Sequence, residues 1–198
     1  MLEIVSAPNP VLSQKAKPIA KIDKGILSLI EEMKKSLESA ADPVGVGLAA
    51  PQVGRALKIF IAKPSLKAKP SVFINPRIIS QKKKLSKAAS NPVPDGTGSN
   101  AGEPESAGRR TRKLEGCLSL PNIWGEVLRY NEANVEFEDE TGKKHNKKFK
   151  GFLATIIQHE IDHLNGILFT KRVLEQNGTL YKSEKDEKGQ DVFEEIKI

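Results

Sequence analysis

The sequence predicts an α+β fold: antiparallel β-sheets packed around a central buried helix. Three observations predict it. Residues 57–63 and 71–79 are runs rich in β-branched and aromatic side chains, the composition of strands. Residues 134–150 alternate apolar and charged side chains on either side of Thr141-Gly142, the pattern of a hairpin. Residues 152–164 are apolar nearly all the way round a helical projection, which suits a helix only in the interior.

In chain order, Asp23 is an N-cap candidate for a helix in which Leu27, Ile30, Met33 and Leu37 recur at helical spacing. Pro43 and Gly45 end that pattern, so the helix should stop near residues 40–42. The strands at 57–63 and 71–79 follow, then a short strand at 125–130 and the 134–150 hairpin. On the interior helix, Phe152, Ile156, His159 and His163 share one stripe and Leu153, Ile157, Ile161 and Leu164 another. Asn165-Gly166 supplies its stop. The last segment reads as a second hairpin, residues 179–182 against 191–196, across a charged turn containing Gly189.

At 198 residues the chain fits a single catalytic domain, 1–198. It has no apolar run long enough to span a bilayer and no signal-peptide pattern at its start, which predicts a soluble, cytoplasmic protein without membrane contact; a monomer is expected. The single cysteine, Cys117, excludes an internal disulfide. The net charge of +7 is local: residues 80–113 carry eight basic and three acidic side chains, and so hold five of the seven excess charges. From Ser86 to Gly108 only Val93 is a large apolar side chain. Such a stretch buries too little surface to offset its ordering entropy, so a flexible basic insertion is expected at about 81–113. A C-terminal extension is expected at about 172–198.

Two of the three histidines stand four residues apart, in His159-Glu160-Ile161-Asp162-His163. On a helix, positions i and i+4 share a face, so both imidazoles can reach one metal ion. Glu160 lies beside them, free to act on a water at that ion. A catalytic site of this kind needs a third protein ligand and an open position. Cys117, in Glu115-Gly116-Cys117-Leu118-Ser119, is the candidate, since a thiolate is a strong, soft ligand. Taken alone, a lone cysteine is more often a buried small side chain, and paired histidines also occur satisfied in cores. A third segment, Gly45-Val46-Gly47-Leu48-Ala49-Ala50-Pro51-Gln52, has glycines that allow close approach of an extended ligand, and an amide able to donate to a carbonyl oxygen.

These three segments resemble the signature motifs of the peptide deformylase family: G-x-G-x-A-A-x-Q at 45–52, E-G-C-x-S at 115–119 and H-E-x-x-H at 159–163. Ala7-Pro8-Asn9-Pro10-Val11-Leu12 is also similar to the family's N-terminal segment. The resemblance implies removal of the N-terminal formyl group from formylmethionyl nascent polypeptides by a metal-bound hydroxide. It implies Cys117, His159 and His163 as metal ligands and Glu160 as general acid/base. Gln52 and the Leu118 N–H would stabilise the oxyanion, and Val46 and Gly47 would line the cleft where substrate adds as a strand. The implied cofactor is one divalent ion, Fe(II) in most of the family, with zinc, nickel or cobalt as substitutes.

The chain also departs from the family's pattern. Its basic stretch before the Cys motif is longer, Trp124 stands where polar or basic residues are common, and no long helix follows the metal helix. The basic insertion is an expected contact for the ribosome or ribosomal RNA, on charge alone. Arg129 is expected to pair with Glu115, Asp162 to be structural and His145 to be a solvated surface residue. An endopeptidase of the general H-E-x-x-H kind is the nearest alternative, but it takes a third ligand downstream of the helix, and no downstream histidine exists.

Overall fold

The computed structural model describes residues 1–40, 44–80 and 110–197. Its elements are α1 (Lys24–Ser39), β1 (Gly47–Ala49), β2 (Ile59–Ala62), β3 (Ser71–Ser80), β4 (Arg110–Cys117), β5 (Leu120–Tyr130), β6 (Glu132–Glu138), β7 (Lys144–Lys150), α2 (Gly151–Leu164), α3 (Phe169–Glu175), β8 (Leu180–Lys185) and β9 (Asp191–Glu195). All pairings between these strands are antiparallel. One sheet runs β1-β2-β3-β6-β7 and the other β4-β5-β8-β9.

The period of two along β2 and β3 explains the layering. Ile59, Ile61, Val72 and Ile74 point to one side and pack with Leu29, Ile30, Met33 and Leu37 of α1. Phe60, Ala62 and Phe73 point to the other and pack with Ala154, Ile156 and Ile157 of α2. Both faces are thus covered along β2 and the start of β3, so Ile59–Ala62 and residues 72–74 are apolar throughout, whereas β6, buried at every second residue, alternates. Phe73 lies at the centre, with Phe60 and Phe137 ring centroids 4.5 and 4.4 Å away. The second sheet packs on α3 through Val127, Phe169, Val173 and Leu180.

Asp23 caps α1 as expected, its carboxylate accepting from the Ile26 N–H at 2.9 Å. The helix ends at Ser39. Asn165 closes α2, and Gly166 turns the chain away at φ +70°. The C-terminal hairpin is present as β8 and β9, with Tyr181 opposite Glu195.

Four expectations change. The strand expected at 125–130 is eleven residues long, because Leu120–Tyr130 pairs along its length with β4. The sequence hid β4 because one of its faces carries exposed Arg112 and Leu114. Arg110, Arg112 and Lys113, assigned to the insertion, lie in that strand; the loop expected over 86–108 lies outside the described residues. Phe152, expected inside, is exposed where α2 begins. His145 is not simply solvated: its ring stacks on Phe137 at 5.0 Å and its Nε2–H donates to Asp139 at 2.6 Å.

The N-terminal chain fastens distant parts together. Val5 N–H donates to the Gln52 carbonyl (2.8 Å), Ala7 N–H to that of Ser119 (2.9 Å) and Ala16 N–H to that of Leu164 (2.9 Å). Asn75, at φ +49°, holds the next stretch: its amide donates to the Ile19 carbonyl and accepts from the Ile19 N–H, each at 2.8 Å. Asn75→Ala removes both partners from partly buried backbone groups and places alanine in the left-handed region. Urea denaturation should show a loss of about 2 kcal/mol with an unchanged slope.

Candidate active site

Cys117 sits where β4 turns into β5, opposite Leu120 and next to a register shift. That irregular turn points its sulfur at α2. The sulfur lies 3.2 Å from His163 Nε2. The Cys117 sulfur and one nitrogen from each of His159 and His163 all lie within 4.8 Å of one another. The two imidazole rings meet nearly edge-on, with centroids 4.9 Å apart. A soft sulfur and two imidazole nitrogens, converging from a turn and one helix face, form a donor set that fits a borderline-soft divalent ion.

The imidazoles are aimed by their neighbours. His159 Nδ1–H donates to Glu115 Oε2 at 2.9 Å, which leaves Nε2 for the metal position. Glu115 is buried, and Arg129 grips both its oxygens at 2.7 and 2.8 Å. Arg129 also donates to Asp162 at 2.6 Å, and Arg172 of α3 reaches the same carboxylate at 2.7 and 3.1 Å. Burial alone would raise the Glu115 carboxyl, but Arg129 and His159 hold it at about 2. The expected Glu115–Arg129 pair is therefore real, and Asp162 is its continuation.

Among the protein groups, burial pushes the Cys117 thiol up, while the adjacent imidazoles outweigh it and bring it down to about 5. A thiolate at neutral pH follows. Glu160 is shifted the other way: burial raises its carboxyl to about 7. Its Oε2 and His163 Nδ1 are buried with no hydrogen-bond partner. An unpaired buried carboxyl oxygen beside the ligands is a group held ready to exchange a proton.

The glycine segment does more for the chain itself than the sequence suggested. A Cβ on Gly47 would lie 2.2 Å from Glu160 Oε1 and 3.0 Å from Ile156 Cγ2, so this glycine makes room for the carboxylate. A Cβ on Gly45 would strike the Leu37 side chain at 2.7 Å and its carbonyl at 3.0 Å. Gln52 follows in a short turn of 3-10 helix, Ala50–Val53. Its side-chain Oε1 accepts from the Ala49 N–H at 2.8 Å, which orients its Nε2–H onto the Cys117 sulfur at 3.4 Å.

A pocket of about 340 Å³ opens against these groups. Val46, Gly47, Gln52, Leu118, His159 and Glu160 all border it. The structure thus brings Val46, Gly47, Gln52, Cys117, Leu118, His159, Glu160 and His163 to one place. Sequence reasoning missed the pocket's apolar mouth, made by Val44, Leu114 and Phe152, all largely exposed. Large apolar side chains left in water around a cleft are the signal that marks it, and only the fold shows that they are neighbours. A wider polar hollow of about 990 Å³ lies elsewhere, bordered by Arg77, Glu136 and Gln176, and does not include the ligand atoms.

Such a set could hold one divalent ion at the sulfur and imidazoles, with a buried carboxyl beside it. The sequence profile of the family described as Polypeptide deformylase matches residues 1–178. The peptide deformylase of Chlorobium luteolum is 35% identical over 192 residues, 94% of this chain and 86% of that protein. That of Borreliella burgdorferi is 36% identical over 168 residues, 85% of each. Among solved structures, the Thermotoga maritima enzyme superposes with a TM-score of 0.68 at 31% identity, covering 87% of this chain and 97% of its own. The Synechococcus elongatus enzyme, solved in complex with actinonin, gives 0.68 at 33% identity over 86% and 79%. The chain belongs to the polypeptide deformylase family, and it is a hydrolase that removes the formyl group from formylmethionyl peptides.

Two outcomes follow from this geometry. Gly47→Ala should fold, because the clashing carboxylate ends a flexible side chain, yet displace Glu160; formate release should fall about a hundredfold. The Glu115 carboxyl, held at about 2 against an ordinary value of 4.5, contributes stability that is present above pH 4.5 and lost as the pH falls toward 2. In the metal-free protein, Glu115→Gln should therefore flatten the acid limb of stability against pH, measured by denaturant titration.

Proposed function

We propose that Cys117, His159 and His163 hold one divalent cation, Fe(II) in the native protein with zinc, nickel or cobalt able to replace it. The observation that carries this reading is the convergence of one sulfur and two imidazole nitrogens within 4.8 Å, beside a buried carboxyl oxygen with no partner. When bound, the cation supplies Lewis acidity and makes a water acidic enough to ionise near neutral pH.

The chain's own groups do the rest. Glu160, with its carboxyl at about 7, accepts the water proton and delivers it to the departing amine. Gln52 has two amide hydrogens; one is turned to the Cys117 sulfur, and the other meets the formyl oxygen together with the Leu118 N–H. One such donor is worth roughly 3 kcal/mol of barrier. Val46 and Gly47, leading into β1, offer the edge along which the peptide adds as a strand. The apolar pocket beside Ile156, Leu114 and Phe152 receives the methionine side chain.

The formylmethionyl peptide is a nascent chain, so the setting we infer is the cytoplasm, with the protein acting as a monomer. The basic segment between β3 and β4 is a proposed contact for the ribosome or ribosomal RNA, supported by its charge.

Glu160→Gln should retain the metal, measured by elemental analysis of anaerobically purified protein. It should also slow formate release from formyl-Met peptides by about a hundredfold to ten-thousandfold. Undiminished turnover in that variant, or cleavage of internal peptide bonds instead of formate release, would overturn the reading.

A further inference from the structure

Two hollows meet at Cys117. One is the apolar pocket of about 340 Å³. The other, of about 650 Å³, runs between the Cys117 turn and the β8–β9 hairpin, with Asn122, Lys182, Glu184 and Asp191 on its walls. Val44, Gly116, Cys117 and Trp124 border both. Trp124, the chain's only tryptophan, therefore stands on the divide.

The ring is braced from three directions. Its six-membered edge lies against Gly116, where a Cβ would come within 3.0–3.2 Å of three indole carbons. Its Nε1–H donates to Ser183 Oγ on β8 at 3.1 Å. Phe193 on β9 meets it edge-to-face, with centroids 5.8 Å apart at 85°. The pairing of β5 with β8 sets this up by placing Trp124 opposite Tyr181.

The hairpin adds little else to the fold. Among its strand residues only Leu180 and Ser183 are buried, and all of β9 is exposed. It also lies beyond residue 178, where the match to the family profile ends. A terminal hairpin with so small a core share, whose side chains close on one aromatic ring beside a metal ligand, acts on that ring.

We propose that Trp124, braced by Ser183 and Phe193, is a specificity-determining residue whose indole is the platform for the peptide segment downstream of formylmethionine. The second hollow takes that segment. This rests on the deformylase reading of the site and names a further part of its substrate. The charges on the hollow's walls are already paired, Lys182 with Glu184 at 2.6 Å and Lys185 with Asp191 at 2.8 Å. Recognition there is by an aromatic face and peptide backbone, so it responds to peptide length and little to sequence. That suits an enzyme whose substrates share only their first residue. Ser183 and Phe193 are positioning residues, acting through Trp124.

The experiment compares formyl-Met-Ala with formyl-Met-Ala-Ser-Gly on the metal-loaded protein, and titrates the Trp124 emission with the deformylated tetrapeptide Met-Ala-Ser-Gly. The longer substrate should gain about three- to tenfold in kcat/KM, through KM. Phe193→Ala should abolish that gain and leave kcat on formyl-Met-Ala unchanged, and Trp124→Phe should keep part of what Trp124→Leu loses. The emission should shift with the tetrapeptide in the wild type and shift less, at higher peptide concentration, in Phe193→Ala. A length gain that survives Trp124→Leu, no length gain in the wild type, or emission indifferent to the tetrapeptide would each overturn the proposal. Absence of formate from every formyl peptide would instead sink the deformylase reading, and the emission titration, which needs no turnover, would still decide the platform.

Discussion

The buried ion network of Glu115, Arg129 and Asp162 is the constraint on which the site depends. Ions removed from water are strongly unfavourable unless each lone pair and proton is matched. Here Arg129 spends its fork on both carboxylates, while His159 and Arg172 occupy the remaining positions. The network ties β4 and β5 to α2 and α3. Glu115 stands two residues before the cysteine, and Asp162 adjoins the second histidine. The contacts that join sheet to helix therefore also set how far the sulfur lies from the imidazoles. Packing of apolar side chains positions elements to within an ångström or so; a fully matched set of charge-assisted hydrogen bonds narrows that further.

Much of this was legible in the chain. The spacing of His159 and His163 could be read because helical geometry is local: four residues always span one turn. The cap at Asp23, the strands around Phe60 and Phe73 and the hairpin about Gly142 were legible for the same reason. What local rules do not carry is which segments meet. β4 was missed because Arg110, Arg112 and Lys113 look like loop when taken by themselves; only pairing with Tyr130, Leu128 and Val127 makes them a strand. Likewise Gly47 appeared to leave space for substrate, whereas its missing side chain faces Glu160, a residue 113 positions away. Cys117 was the candidate third ligand on its chemistry and by resemblance, and the turn that aims its sulfur became visible only with the fold.

The N-terminal residues show how a site assembled from distant segments is held without a large interface. Val5, Ala7 and Ala16 each donate one backbone hydrogen bond, to the chain at Gln52, at Ser119 and at Leu164. Those acceptors belong to, or adjoin, the amide, thiol and histidine segments. Backbone bonds of this kind ignore side-chain identity, so little in the sequence betrays the role of residues 5–16. Both sheets, the central helix and the N-terminal segment consequently share responsibility for one small volume.

The contact between the Gln52 amide and the Cys117 sulfur has a consequence of its own. A hydrogen donated to a thiolate draws electron density off the sulfur, making it a leaner donor to whatever cation it binds. A cation so served keeps more of its own acidity, which offsets the weakness a sulfur ligand brings relative to a third imidazole. The same withdrawal would lift the potential at which the sulfur surrenders an electron, so in the proposed site one glutamine would both sharpen the ion and shelter the thiolate from dioxygen.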